Sequence, residues 1–303
     1  SKSTGMKQTI RTYSELEHRV TAFSRTKLPL LVLHGPPGTA KSTSVRKAFP
    51  HGPKARWVNG TASAFGLFGE LQRHRNLPFV LDDLDDAFRD KALVRLMKQV
   101  CQTDAVRRIS WVTNANKASY GEDGEDGRSF ETTSRVILIL NDWQKANRHV
   151  GAVGDRAWEI EFLPPPREIH QFVASWMHKE LDEDGLPTVA DEVFDYIGDR
   201  LDAVPDTSIR QYILATQGLR VGVDWRKDLE SEWGNTDPKR LVRRLADDDS
   251  YLLEEHRIDR FYDLTGLSRS RYFEIKDSLG LSCNRQRGGF RPGAGRKPIL
   301  TGL

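Results

Sequence analysis

The chain has 303 residues, with 46 Lys and Arg against 43 Asp and Glu, for a formal net charge of +3. An apolar content of 38% excludes wholesale disorder, a collagen-like repeat and a disulfide scaffold, and no apolar run approaches the ~20 residues that span a bilayer. Cys101 and Cys283 lie far apart without metal-ligand spacing, and no charged-then-apolar leader precedes a cleavage site; the expectation is a cytoplasmic protein of about two domains with two reduced thiols.

Residues 1–6 are small and polar and are set aside. A helix is expected over residues 13–23. Apolar runs then alternate with helical stretches. Residues 29–33 lead into a Gly/Pro loop at 35–38 and a helix over about 42–49. A short strand near 56–58 precedes a helical segment at 62–73. Residues 79–81 run into Asp82, Asp83, Asp85 and Asp86, followed by an amphipathic helix at 91–102. Residues 136–140 are the most strand-like run and end at Asn141; a fifth strand at 158–162 stops at Pro164, Pro165 and Pro166. Strands alternating with helices predict an α/β chain with a parallel sheet covered on both faces. The interval 107–135 breaks this rhythm: residues 109–113 alternate like a strand, and residues 130–133 can pair with them as a hairpin around a polar loop at 121–127.

Beyond Pro166 the pattern turns helical. Ile169, Phe172, Val173, Trp176 and Met177 fall on one helix face. Val193, Ile197 and Leu201 repeat at four-residue spacing, and residues 208–217 and 238–246 supply further helices.

Gly35-Pro36-Pro37-Gly38-Thr39-Ala40-Lys41-Ser42 follows an apolar strand and opens a helix, the context a phosphate-binding loop requires. Backbone N–H groups of such a loop, together with the helix N-terminus, concentrate positive potential on phosphate oxygens. Lys41 is then placed to reach the β/γ-phosphates and Ser42 to ligate Mg²⁺. Ala40 stands where a glycine commonly precedes the lysine. Its methyl disfavours positive φ, so the loop is either tightened there or runs at negative φ. At the end of the strand at 79–81, Asp82 is the expected Mg²⁺ ligand and Asp83 the residue that polarises the attacking water.

These two elements resemble those of the AAA+ ATPases, whose Gly-Pro-Pro-Gly-Thr loop matches residues 35–39, and the resemblance covers about residues 30–217. It implies an ATP site, with Mg²⁺, built from Gly35, Pro36, Pro37, Gly38, Thr39, Ala40, Lys41, Ser42 and Thr43. Asp83 is one methylene shorter than the Glu often found there, which implies slow hydrolysis. Asn141 looks like the polar sensor that positions the lytic water; Asn114, ending the run at 109–113, competes with it, and the helix directly after residues 136–140 favours Asn141. Gly154-Asp155-Arg156-Ala157 looks like the arginine-finger box, with Arg156 acting on a neighbouring subunit's γ-phosphate and Arg148 as a lesser alternative. Arg210, after Ser208-Ile209, resembles the lid arginine that faces the γ-phosphate. A finger acting in trans implies a homo-oligomer, a ring or spiral with a hexamer favoured.

The C-terminal segment suggests what such a motor acts on. A helix at 257–263, a turn at 264–267 and a second helix from Ser268 to about 279 form a helix-turn-helix-like pattern, with Ile258, Phe261, Leu264, Leu267, Phe273, Ile275 and Leu279 as its core. Arg269, Ser270, Arg271 and Tyr272 then occupy the first turn of the second helix. Beyond it, Arg285, Arg287, Arg291, Arg296 and Lys297 alternate with Gly and Pro, an extended basic tail suited to a DNA groove. The net charge of +3 hides this polarity. Residues 181–206 carry 9 acids and 1 base, whereas residues 256–303 carry 10 bases and 4 acids.

The expectation is thus an ATPase core over residues 1–165, a helical lid over 166–250 and a DNA-binding unit over 251–303. It describes a DNA-dependent ATPase resembling transposition regulators and helicase loaders, with a transposase or helicase as a possible partner and no membrane association. The competing reading is a protein-remodelling ATPase whose basic tail binds a protein.

Overall fold

Leu30–His34 and Val136–Leu140 are each buried along their whole length. A strand buried on both faces needs cover on both sides, which parallel sheets with crossover helices provide. In the computed structural model these two runs lie side by side at the centre of a six-stranded sheet. The residues described are 6–48, 55–60, 62–84, 90–111, 129–143, 156–201, 204, 207–234, 237–248 and 251–281.

The strands are β1 (Met6–Ile10), β2 (Leu30–His34), β3 (Arg56–Asn59), β4 (Phe79–Asp82), β7 (Val136–Leu140) and β8 (Ala157–Phe162), in the order β1-β8-β2-β7-β4-β3, every pair parallel. Helices α1 (Tyr13–Arg25), α2 (Lys41–Ala48), α3 (Ala64–Arg73) and α4 (Lys91–Val100) complete the α/β fold. Alternate residues of the central strands feed two cores. Leu30, Val32, Leu81 and Leu138 pack under Leu67, Phe68, Leu93 and Met97 of α3 and α4. Leu31, Leu33, Ile137 and Ile160 face Leu16, Val20 and Phe23 of α1 and Val45 of α2. Each fully buried Leu or Phe contributes about 1.5–3 kcal/mol.

The edge strand β1 was not expected from the sequence. It pairs with β8 from Met6↔Trp158 to Ile10↔Phe162, and Lys7 and Thr9 are exposed while Ile10 is buried. A half-wet edge strand with so few buried side chains leaves little apolar signal. The expected hairpin is present: β5 (Arg107–Ser110) runs antiparallel to β6 (Ser129–Thr132), with Ile109 opposite Phe130. It starts earlier than residue 109 because Arg107, a charged residue, is buried and donates to the Ser134 carbonyl. The polar loop at 121–127 lies outside the described residues.

After β8, helices α5 (Pro166–Ala174), α6 (Asp191–Gly198), α7 (Ile209–Val221) and α8 (Trp225–Gly234) gather around Ile169, Val173, Met177, Val193, Ile197, Tyr212, Trp225 and Leu229. Ser208 caps α7 through a capping box with Gln211, whose Oε1 accepts the Ser208 N–H at 3.1 Å. This spares backbone donors at the helix start.

The chain divides into two compact units, Ser1–Trp233 and Gly234–Leu303. In the second, α9 (Pro238–Asp247), α10 (Glu254–Thr265) and α11 (Arg269–Ser278) share a core of Leu241, Val242, Leu245, Ile258, Phe261, Tyr272 and Ile275. Gly266, at φ 66°, closes α10, and Ser268 caps α11 by accepting the Arg271 N–H at 3.3 Å. The helix at 238–246, expected in the lid segment, thus packs with the C-terminal helices: its Leu241, Val242 and Leu245 close a core too small for two helices alone. Among the described residues no helix is long and apolar enough to cross a membrane.

Candidate functional site

The sheet register decides which residues meet. β7 lies between β2 and β4, with Leu33 level with Ile139 and Ile139 level with Asp82. The loop after His34, the acids after Leu81 and Asn141 after Leu140 therefore emerge together at the carboxyl edge of the sheet. That edge is where open α/β sheets bind ligands.

The loop from Gly35 to Ala40 needs its glycines. Gly35 has φ 151°, and a Cβ there would lie 2.2 Å from the Phe162 carbonyl oxygen. Gly38 has φ 74°, and a Cβ there would meet the Ser208 Cβ at 2.9 Å. Pro36 and Pro37 bring fixed φ between them. Ala40 has φ 55°, so of the two conformations open to it the loop takes the strained, left-handed one, at a cost of about 1–2 kcal/mol for an L-residue. Thr39 Oγ1 donates to the Pro36 carbonyl at 2.9 Å.

Lys41 opens α2 and is only 6% exposed. Its Nζ donates to the carbonyls of Gly35 at 2.9 Å and Pro36 at 2.7 Å, and to Asn141 Oδ1 at 3.3 Å. Ser42 is half-buried beside it and Thr43 exposed. α2 carries no acid in its first turn, so its positive end is not neutralised from within. Asp82 is half-buried at the end of β4. Asp83 is exposed at φ 60°, and its N–H donates to the Ile139 carbonyl at 3.3 Å, tying the turn to β7. Asp85, Asp86 and the competing Asn114 lie outside the described residues.

The helical segment reaches this loop. The Ile209 N–H donates to the Gly38 carbonyl at 2.9 Å, and the Arg210 Cβ lies 3.8 Å from where a Gly38 side chain would begin. Tyr13, which sequence reasoning did not single out, donates its hydroxyl to the Thr39 carbonyl at 3.1 Å. An aromatic in a helix reads as core from its spacing, so nothing in the sequence flagged that hydroxyl. His34, also unremarked, sits 3.1 Å from Glu159 Oε1. Burial pushes the Glu159 carboxyl up, but the His34 hydrogen bond and the Lys7 charge outweigh it and hold it below the ordinary value.

Arg156 is exposed and directly precedes β8. Ala157 is level with Leu30, at the opposite edge of the sheet from the loop. At ~3.3 Å per residue, the five residues of β2 keep Arg156 roughly 15 Å from its own Lys41. Arg148, Gly154 and Asp155 lie outside the described residues. Burial pushes the Cys101 thiol up to about 12, an inert core group.

In the C-terminal unit, Arg269 is exposed, pairs with Glu255 and lies over the Phe273 ring. Arg271 pairs with Glu274 at 2.9 Å. Tyr272 is a correction: it is fully buried, edge-on to Phe261, with its hydroxyl donating to Glu254 Oε1 at 2.8 Å. It faces the three-helix core because its position matches the inward stripe shared with Ile275, and a surface ligand does not reach it. Arg285, Arg287, Arg291, Arg296 and Lys297 lie outside the described residues.

The donor set fits a nucleotide phosphate with its cation. Among the described residues no three His, Cys, Asp or Glu gather as a metal cage. Mg²⁺ characteristically uses one or two protein oxygens and takes the rest from phosphate and water, which Ser42 and Asp82 suit.

No family model matches the chain. A stretch of 118 residues is 28% identical to an uncharacterized 36.7 kDa protein from the nrdC-mobD intergenic region of Enterobacteria phage T4, covering 37% of this chain and 35% of that protein. The chain therefore spans about a third of that relative's length. Among solved structures, NtrX from Brucella abortus in complex with ADP aligns at a TM-score of 0.47 and 15% identity, over 88% of this chain and 68% of that one. A katanin self-assembly structure aligns at 0.41 and 12%, over 88% and 78%. NtrX in complex with ATP aligns at 0.40 and 12%, over 92% and 70%.

Proposed function

We propose that the chain is an AAA+ ATPase that binds and hydrolyses ATP in a homo-oligomer and acts on DNA. The observation that carries the ATPase reading is the meeting of Lys41 with Asn141 at the carboxyl edge of the sheet, beside the positive-φ loop. In this reading the loop N–H groups, Lys41 and Thr43 bind the phosphates, and Arg210 faces them from the lid. Mg²⁺, when bound, neutralises phosphate charge. Ser42 and Asp82 would hold it. Asp83 accepts the proton of the attacking water, which Asn141 orients. Arg156 precedes β8 at the edge of the sheet opposite its own loop, which supports a role in a neighbouring subunit's site and hence a ring or spiral.

The DNA reading rests on Arg269, Arg271 and the basic residues from Arg285 to Lys297. It predicts binding that falls steeply with salt and weakens on deleting residues 284–303. A mobile-element or replication setting, with a transposase or helicase as partner, is the finer form of the same reading. One observation favours a second reading, protein remodelling. Arg269 and Arg271 already hold acidic partners, and Tyr262 and Phe273 in the same unit are 60% and 36% exposed, a surface suited to a protein partner. Titrating fluorescent duplex and single-stranded DNA at low salt, with ATP analogue present, separates the two: no binding to either strand form ends the DNA reading.

A further inference from the structure

We propose that Tyr13 is a positioning residue for nucleotide phosphate: its hydroxyl clamps the Thr39–Ala40 peptide and so holds the strained phosphate loop in its binding shape. The proposal rests on the nucleotide reading of this loop.

A trans peptide is planar, so fixing the direction of a carbonyl fixes the following N–H in the opposite direction. Two consecutive carbonyls of the loop are held from outside it. The lid's Ile209 N–H takes the Gly38 carbonyl at 2.9 Å, which sets the Thr39 N–H. The Tyr13 hydroxyl takes the Thr39 carbonyl at 3.1 Å, which sets the Ala40 N–H. The Thr39 N–H is thereby turned away from the lid and the Ala40 N–H away from α1. The clamp acts one peptide before Ala40, whose φ of 55° is the loop's strained position. Strain of that kind persists only where the surroundings over-determine it.

Tyr13 is itself immobilised. It is 5% exposed, its N–H donates to Glu168 Oε1 at 3.0 Å, and its ring stacks on Phe172 at 3.9 Å and 17° and meets Phe162 edge-on at 5.2 Å. Glu168 and Phe172 belong to α5, the first helix after the sheet, so one side chain joins α1, the phosphate loop and α5. Burial, then the Glu168 charge, raises the Tyr13 hydroxyl above its ordinary value. It therefore stays a donor throughout the physiological range.

The test is a double-mutant cycle on the full chain, with Tyr13→Phe, Ala40→Gly and the pair, read by ADP affinity and by denaturant unfolding without nucleotide. Tyr13→Phe keeps the ring stack and loses only the clamp. It is expected to weaken ADP binding about three- to tenfold, the scale of one net hydrogen bond. Ala40→Gly, which relaxes the strain, is expected to restore most of that loss in the double variant. A merely structural Tyr13 predicts no such rescue. ADP affinity unchanged by Tyr13→Phe, or a loss that Ala40→Gly leaves undiminished, overturns the proposal. If the unaltered chain binds no ADP, the nucleotide reading is what fails; the clamp then stands or falls on whether the two substitutions couple in unfolding.

Discussion

Lys41 Nζ lies 3.3 Å from Asn141 Oδ1, although the two residues are 100 positions apart in the chain. Only the placement of β7 between β2 and β4 makes that contact possible. The same ammonium rests on the Gly35 and Pro36 carbonyls, so binding phosphate with it exchanges those carbonyls for anionic oxygens. Lys41→Ala is expected to abolish nucleotide binding by isothermal calorimetry. Asn141→Ala is expected to keep ATP affinity within a few-fold and to lower turnover by about 10²-fold or more, the scale seen when one oriented polar group is lost from a reaction centre.

Asp83 combines an exposed carboxylate with φ 60°, a conformation that Asp and Asn tolerate far better than β-branched residues do. Asp83→Asn is therefore expected to fold normally, bind ATP and lose hydrolysis. Turnover equal to that of the unaltered chain removes Asp83 from the proposed role. Asp83→Val is expected to lower the unfolding free energy by about 1–2 kcal/mol, from backbone strain.

Gly35 permits no side chain, because a Cβ would meet the Phe162 carbonyl oxygen at 2.2 Å. Gly35→Ala is expected to cost about 1–3 kcal/mol, as overpacking does, and to displace the loop from β8. A lowered melting temperature together with weakened ADP binding is the expected pair of results.

Glu159 supplies an acid-side prediction. Its carboxyl is pushed up by burial but held below its ordinary value overall by His34 and Lys7. A group with a depressed folded-state value stabilises the fold above its unfolded value, near 4.5, and that contribution is lost as pH falls through the folded value. Glu159→Gln is expected to be less stable than the unaltered chain at pH 7, with the gap narrowing below about pH 4.5. A gap constant from pH 7 to pH 3 contradicts the assignment.

How much of this was legible in the sequence depends on what each signal measures. The Gly/Pro loop before α2, the acids after β4 and the central strands are written as residue type in a fixed local context, so their places in the fold could be read directly. The contact of Lys41 with Asn141 and the approach of Ile209 to Gly38 depend on strand order and on packing of the helical segment, and no local pattern encodes either. β1 was missed because an edge strand with exposed Lys7 and Thr9 buries too little to show a period. Tyr272 was misplaced because helix position alone does not say which face turns inward: its ring joins Ile275 and Phe261 in the core. Tyr13 carries its role on a single hydroxyl, which hydrophobic spacing cannot distinguish from a phenylalanine.

Arg156 offers a test of assembly. Mixing Arg156→Ala with Lys41→Ala chains, each inactive alone, is expected to recover part of the ATPase rate, since some sites then pair an intact loop with an intact arginine. No recovery at any mixing ratio removes the trans role.

Steady-state ATP hydrolysis with Mg²⁺, in the presence and absence of duplex DNA, for the unaltered chain and for Lys41→Ala, tests the proposed DNA-dependent ATPase most directly. Measurable turnover is expected that changes when DNA is added and vanishes in Lys41→Ala. Turnover that survives Lys41→Ala, or an unaltered chain that neither binds nor hydrolyses ATP, contradicts it.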